Sequence, residues 1–94
     1  MKIRWLRRAV QTRDAQLDYI AERNAAAAVR LGEALRVAVA MLADHPHMGR
    51  AGRVGGTREL MVARTPYIII YRIMNQEVSI LHVLHSAQRW PPTH

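Results

Sequence analysis

The residues of this chain best suited to chemistry are a histidine and several arginines. His85 can carry a proton near neutral pH, and Arg89 follows it by four positions. Arg58 and Arg72 are the other arginines that could join them in a catalytic site, because a guanidinium donates paired hydrogen bonds to a phosphate. These four residues would suit proton transfer beside a phosphate. The alternative for His85 is a histidine that hydrogen-bonds at the edge of a sheet.

A glycine-rich loop carries the next candidates. Arg50 and Arg53 lie in Gly49-Arg50-Ala51-Gly52-Arg53-Val54-Gly55-Gly56. Its glycines allow backbone N–H groups and guanidinium groups to approach a phosphate or a carboxylate-rich surface closely. No strand-to-helix turn follows, so the loop is not a P-loop. The alternative is a solvated, flexible loop.

Arg72 also points to a partner. It interrupts an apolar run, and a buried charge without a counter-charge is costly, so Arg72 must meet a carboxylate, solvent or a partner. A pair with Glu59 or Glu77 is the alternative for both Arg58 and Arg72. Amphipathic tryptophans often anchor interfaces. The predicted partner-binding residues are Arg50, Arg53, Arg58, Arg72, Arg89 and Trp90.

The remaining histidines do not suggest a metal site. His82 and His85 are three residues apart, so on a strand they point to opposite faces. His45 and His47 flank Pro46 in a loop, and the chain has no cysteine. We therefore predict neither a metal nor a cofactor.

Composition and charge restrict the class of protein. The chain has 94 residues, 14 Lys+Arg against 7 Asp+Glu, and a formal net charge of +7. This length predicts one domain, residues 1–94. No apolar stretch follows the basic N-terminus and none is long enough to span a bilayer, so we expect a cytoplasmic protein that does not enter membranes. The charge favours an acidic partner, either nucleic acid or protein.

Hydrophobic spacing predicts the elements that position these residues. Apolar residues recur at helical spacing from Leu6 to Arg23 and again from Asn24, a residue type preferred at the N-cap, to Ala43. The short link predicts an antiparallel helical hairpin. A loop over residues 45–56 follows. Runs rich in Ile, Val, Leu and Tyr predict strands at 2–5, 57–63, 67–74 and 77–86.

These elements together predict an α+β fold. We expect an N-terminal strand, the helical hairpin and then a three-stranded antiparallel meander. The strand at 67–74 is apolar on both faces, which predicts a central strand. The helices would cover one face, and something else, such as a partner, would cover the other.

Several short motifs occur in a fixed order along this layout. His45-Pro46 and Gly49-Arg50 follow the second helix, and the motifs after them are Gly56-Thr57-Arg58-Glu59-Leu60, Tyr67-Ile68-Ile69-Ile70-Tyr71-Arg72, and Val83-Leu84-His85 before Arg89-Trp90-Pro91. With these motifs the chain resembles the RelE/ParE toxin superfamily over nearly its whole length. The resemblance implies the toxin of a type II toxin-antitoxin pair. It also implies a hetero-oligomer with a cognate acidic antitoxin, which suits the charge of +7.

Residues at the positions of the nuclease site indicate which branch of this superfamily the chain resembles more. In RelE-like members, which cut ribosome-bound messenger RNA, an arginine directly follows the tyrosine that opens the central strand, and Ile68 stands there in this chain. The lysine positions of such nucleases fall near Glu59 and Met61, and no tyrosine follows Tyr71. One such donor is worth about 10²- to 10³-fold in rate. The resemblance therefore favours a ParE-like inhibitor of DNA gyrase, and a RelE-like ribosome-dependent mRNA endonuclease is the alternative.

Overall fold

The computed structural model describes residues 1–91, so the last three residues of the predicted domain lie outside the described part. In chain order the elements are β1 Lys2–Trp5, α1 Arg7–Ala21, α2 Ala25–Asp44, β2 Arg50–Ala51, β3 Arg58–Met61, β4 Tyr67–Met74 and β5 Glu77–His85. An α+β fold with an N-terminal strand, two helices and then strands is therefore confirmed. Within residues 1–91, neither helix has the length and apolar character needed to cross a membrane.

The predicted three-stranded antiparallel meander is present as β3, β4 and β5, but it is only part of a larger sheet, so the predicted extent of the sheet was wrong. Five strands lie in the order β1-β5-β4-β3-β2, and the sheet is mixed because β1 runs parallel to β5 while the other pairs are antiparallel. Strand β2 pairs with β3 inside the segment predicted as a loop. Local patterns did not reveal β1's place because its partner Val78 lies far from Ile3 in sequence.

The helices begin and end where the sequence indicates. The Asn24 side chain accepts a hydrogen bond of 3.0 Å from the Ala27 N–H and so caps α2. Helix α2 ends at Asp44, two residues before Pro46. Its buried residues recur at helical spacing and pack towards the sheet; they are Leu31, Leu35, Ala38, Val39 and Leu42.

Strand β4 is central, as predicted, and separates two apolar clusters. Tyr67, Ile69 and Tyr71 are buried on the face that the helices cover, which we call the helix face. Ile68 and Ile70 are buried on the opposite face, which we call the outer face. Leu84 shares that outer cluster, and Leu81 and Trp90 pack against it. The chain itself therefore covers part of the face for which the sequence suggested a partner.

Two local irregularities set the register of the last hairpin. The β4–β5 turn is made by Asn75 and Gln76, both with positive φ angles of 53° and 60°, which is the turn geometry that favours glycine. Between the pairs Ile70–His82 and Tyr71–Ile80, Leu81 is an extra residue that forms a β-bulge.

Candidate functional site

A buried carboxylate organises the glycine-rich loop. Glu59 is only 2% exposed and lies on the outer face of β3, opposite Ile70. Its oxygens accept hydrogen bonds from Arg53 Nη2 at 3.0 Å, Arg53 Nε at 3.1 Å and the Arg53 backbone N–H at 3.0 Å. Arg50 Nη2 adds a contact of 3.2 Å. We call Glu59, Arg50 and Arg53 the Glu59 cluster.

The electrostatics of the Glu59 cluster follow from these contacts. Hydrogen bonds from the Arg53 side chain lower the pKa of Glu59 from 4.5 to about 2, with further help from the Arg53 N–H and Arg50, although burial acts in the opposite direction. The same bond raises the pKa of Arg53. Both arginines are therefore held by a carboxylate, and their remaining N–H groups face solvent because their side chains are 66% and 44% exposed.

A second set of contacts fixes the start of this loop from the helix face. Tyr71 donates its hydroxyl hydrogen to the Pro46 carbonyl at 2.7 Å and accepts from the Gly49 N–H at 2.9 Å. Arg58 Nη1 donates to the carbonyls of Gly49 at 2.8 Å and His47 at 3.2 Å. Burial raises the pKa of the Tyr71 hydroxyl, which keeps it a hydrogen-bond donor. Arg58 therefore holds the loop backbone.

Around position 68 the outer face is apolar. Ile68 is 3% exposed and Ile70 is fully buried. The rings of His82 and Trp90 pack beside them, with centroids 4.6 Å apart. Burial, and secondarily the charge of Arg8, lowers the pKa of His82, so the ring is neutral at pH 7. This surface offers hydrophobic packing where a nuclease of the superfamily would need phosphate-binding groups.

Three of the four residues suggested for catalysis lie apart from one another, and the fourth, Arg89, is exposed after the end of β5. Arg58 pairs across the sheet with Tyr71 and so lies on the helix face, whereas Arg72 lies on the outer face. His85 packs edge-on against Tyr67 at 5.3 Å, and its Nδ1 accepts from the Ala87 N–H at 3.0 Å. Such a hydrogen-bonded position is the alternative that the sequence left open for His85.

An apolar groove lies between α2 and the β3–β4 corner. Its volume is about 640 Å³, and its apolar lining includes Val37, Met41, Met48, Leu60, Met61 and Pro66. Arg30, Glu33 and Arg64 also line it. Val37 is 43% and Met61 50% exposed, so the groove is open to a partner.

Nothing in the described part of the chain resembles a metal centre. Within residues 1–91, no three His, Asp or Glu side chains converge closely enough to hold an ion.

Sequence reasoning missed the groove and the role of Glu59. The signal for Glu59 was present, because a lone acidic residue in a short apolar strand needs a basic neighbour, and Arg50 and Arg53 precede it. No sequence pattern indicated the groove, because its existence depends on the distance between α2 and β3 in the folded protein.

Comparison with known proteins assigns the chain to a class, the toxins of type II toxin-antitoxin systems. Residues 3–90 match the model of the ParE toxin family, described as the toxin of the type II toxin-antitoxin system parDE. The chain therefore belongs to the ParE toxin family.

Individual proteins agree with this assignment. The chain is 44% identical over 90 residues to the protein Y4kP of Sinorhizobium fredii, covering 96% of this chain and 93% of that protein. It is 34% identical over 84 residues to Toxin RelE2 of Caulobacter vibrioides, covering 89% and 93% respectively. A chain of the solved chromosomal ParDE system from P. aeruginosa superposes with a TM-score of 0.80 at 25% identity, covering 90% of this chain and 95% of that one.

Proposed function

We propose that this type II toxin acts in the cytoplasm by inhibiting DNA gyrase and is neutralised by a cognate acidic antitoxin. The observation that carries the proposal is the state of the outer face. Glu59 already binds Arg50 and Arg53, and Ile68 occupies the position of the nuclease arginine. A toxin of this superfamily without a phosphate clamp is better suited to bind a protein target than to cut RNA.

The energetics of phosphoryl transfer support the same choice. Such a site requires several preorganised donors aimed at the phosphate, and each is worth about 10²- to 10³-fold in rate. Here the guanidinium of Arg58 is directed to loop carbonyls on the helix face. The Glu59 carboxylate, ionised at neutral pH because its pKa is about 2, occupies N–H groups of Arg50 and Arg53 that a phosphate would otherwise receive. A nuclease site built on these residues would therefore lack several of the donors on which its rate depends.

The test compares two activities of the same purified toxin. Gyrase supercoiling of relaxed plasmid and cleavage of ribosome-bound messenger RNA are measured over matched toxin concentrations. We expect loss of supercoiling and intact message, and the loss of supercoiling should vanish on adding excess antitoxin. Prompt cleavage of ribosome-bound message with unimpaired gyrase would overturn the proposal. In cells, induction should cause DNA damage and filamentation while translation continues.

We place the antitoxin in the apolar groove. Its lining of methionines, Val37, Leu60 and Pro66 fits the apolar side of an amphipathic helix. Arg30 and Arg64 at the same groove would attract acidic residues on the other side of such a helix. Methionine side chains adapt to irregular partners, so this surface tolerates a peptide that folds as it binds.

Two valines on α2 provide a matched test of the groove. Val37 lines it, whereas Val29, 72% exposed, does not. Val37→Asp should weaken antitoxin binding at least 10-fold in calorimetry, because a carboxylate would be buried in an apolar contact. Val29→Asp adds the same charge to the same helix and should bind normally. If the two variants bind the antitoxin with equal affinity, the groove is not part of the antitoxin interface.

A second candidate function is a RelE-like ribosome-dependent endonuclease, which is favoured by the named similarity to Toxin RelE2. It would use His85 with Arg58, Arg72 or Arg89. If it holds, His85→Ala abolishes toxicity but leaves antitoxin affinity intact. Full toxicity of His85→Ala would exclude it. In the gyrase proposal, the predicted partner-binding residues Arg50, Arg53, Arg58, Arg72, Arg89 and Trp90 remain the candidates for contacts with the target or the antitoxin.

A further inference from the structure

A row of side chains crosses three strands on the outer face, away from the cluster around Ile68. Arg4 of β1 is level with Ser79 of β5, and Ser79 is level with Arg72 of β4. Their inward neighbours Ile3, Val78 and Tyr71 belong to the helix-face core, so these three side chains point the other way. Adjacent strands are about 4.8 Å apart, which places Arg4 and Arg72 about 10 Å from each other with Ser79 between them.

The arginines of this row lack counter-charges. The ion pairs of residues 1–91 involve other arginines, and neither Arg4 nor Arg72 takes part in one. The Nε atom of Arg72 is buried without any hydrogen-bond partner. A buried donor without an acceptor costs about 1–3 kcal/mol, and more when charged. An anion above the row would supply acceptors to the exposed Arg4 and to the part of the Arg72 guanidinium that is not buried.

Further positive charge lies next to this row. Lys2 is on the same face of β1, two residues and about 7 Å from Arg4. Arg8, in the first turn of α1, lies near His82 of the outer face. Burial is the main cause of the lowered pKa of His82, and the charge of Arg8 is the second cause. Glu77 is the carboxylate level with Lys2, and within residues 1–91 it forms no ion pair. We call Lys2, Arg4, Arg8 and Arg72 the cationic patch.

Helix α1 also begins against the usual electrostatic preference. Acidic residues are favoured in the first turn of a helix, because the backbone N–H groups there carry partial positive charge. The first turn of α1 contains no acidic residue, Leu6 provides no side-chain cap, and Arg7 and Arg8 occupy the first two positions. This end of the molecule therefore concentrates positive charge, with the Glu77 carboxylate beside it.

We propose that the cationic patch binds the phosphodiester backbone of duplex DNA, independently of gyrase and without reading base sequence. The patch offers guanidinium and ammonium groups, which suit phosphates rather than an amphipathic peptide. The proposed binding site for an amphipathic peptide is the groove between α2 and β3. The proposal goes beyond gyrase inhibition, since it concerns DNA that carries no enzyme.

Salt dependence gives the proposal a number. Binding to duplex DNA weakens with salt with a slope of about −0.9 in log K per neutralised phosphate. If each cation of the patch meets one phosphate, the slope is about −3.6. Removing Arg4 and Arg72 should reduce it to about −1.8 and lower the affinity roughly 60-fold at 0.1 M salt.

The experiment measures fluorescence anisotropy of a labelled 20-base-pair duplex, at several NaCl concentrations, with the purified toxin. Arg4→Ala/Arg72→Ala should show the reduced slope and affinity. The control Arg23→Ala/Arg36→Ala removes the same charge from the link between the helices and from α2, where these arginines contact Glu22 and Glu33, and should keep the wild-type slope. Because Arg72 is partly buried, its replacement could disturb the fold, so two further variants are measured. Arg4→Ala alone should reduce the slope by about half as much as the double variant, that is by about 0.9. Arg4→Lys/Arg72→Lys keeps both charges and should retain the wild-type slope.

Two results would overturn the proposal. In the first, Arg4→Ala/Arg72→Ala is folded, as shown by circular dichroism, and has the same salt slope and DNA affinity as its charge-matched control. The other is normal DNA binding by that variant with lost affinity for the antitoxin, which would make the patch a protein-binding surface. Inhibition of gyrase is scored separately in the supercoiling assay, so failure of DNA binding is distinguishable from failure of the gyrase proposal.

Discussion

Replacing Glu59 by glutamine should remove most of the acid sensitivity of this protein. The amide has the size of the carboxyl but neither its charge nor its pKa. Each unit between the pKa in the folded and the unfolded chain corresponds to about 1.4 kcal/mol. A pKa lowered from 4.5 to about 2 therefore means that Glu59 contributes about 3 kcal/mol to the free energy of unfolding at neutral pH.

The direction of the pH effect follows from the lowered pKa. The folded protein binds the Glu59 proton more weakly than the unfolded chain does, so the contribution is complete above about pH 5 and disappears as the pH falls through 4.5 towards 2. At pH 2 less than about 0.5 kcal/mol should remain. Wild type and Glu59→Gln should therefore differ by about 3 kcal/mol at pH 7 and converge near pH 2.

Urea unfolding followed by circular dichroism between pH 2 and pH 7 provides the measurement. Glu33→Gln is the matched control, because it removes a carboxylate that also pairs with an arginine but is exposed. The control should retain nearly the whole pH dependence of wild type. If Glu59→Gln instead keeps the wild-type dependence, or differs from wild type equally at pH 7 and pH 2, the charge of the buried Glu59 carboxylate does not stabilise the fold.

Three further substitutions, with Gly55→Ala as a control, test the loop and the last turn by thermal unfolding. Gly49→Ala would place a methyl group 2.5 Å from Tyr71 Oη and 3.0 Å from the Glu59 carbonyl, so it should cost about 1–3 kcal/mol, whereas Gly55→Ala meets nothing within 4 Å and should be close to neutral. Tyr71→Phe removes the hydroxyl that bonds Pro46 and Gly49 and should cost about 1–3 kcal/mol; an unchanged melting temperature would show that this anchor contributes little. Gln76→Gly should stabilise the protein by roughly 0.5–1 kcal/mol, since the φ of 60° at that position strains a side chain, and a lower melting temperature would contradict this.

The helices and the central strand could be predicted because their signals are local. Helix α2 repeats apolar residues at helical spacing after an asparagine that caps it, and β4 alternates two apolar faces. The parallel pairing of β1 with β5 joins residues that are distant in sequence, so no local pattern encodes it. The extra residue Leu81 in β5 likewise changes which residues face the helices. No glycine or other turn residue marks this bulge in the sequence, so it could not be predicted.

The candidate site divides in the same way. Basic residues after α2 could be recognised as a group from their glycine-rich setting. Their attachment to Glu59 depends on Arg50 lying opposite that residue once β2 has formed, which requires the folded sheet. The missing arginine at Ile68 was visible in the sequence, but the packing of Trp90 and His82 that makes this region apolar was not.

The position of β5 constrains when this toxin can become active. The last strand along the chain lies between the first strand and β4, so β1 cannot join the sheet until its partner residues 77–80 are available. Contacts between such distant segments form late and slowly in folding. A growing or prematurely ended chain that stops before Glu77 lacks the strand that links the N-terminal third of the molecule to the rest. Unfinished copies of the toxin should therefore be harmless to the cell that makes them, and complete translation becomes a condition for toxicity.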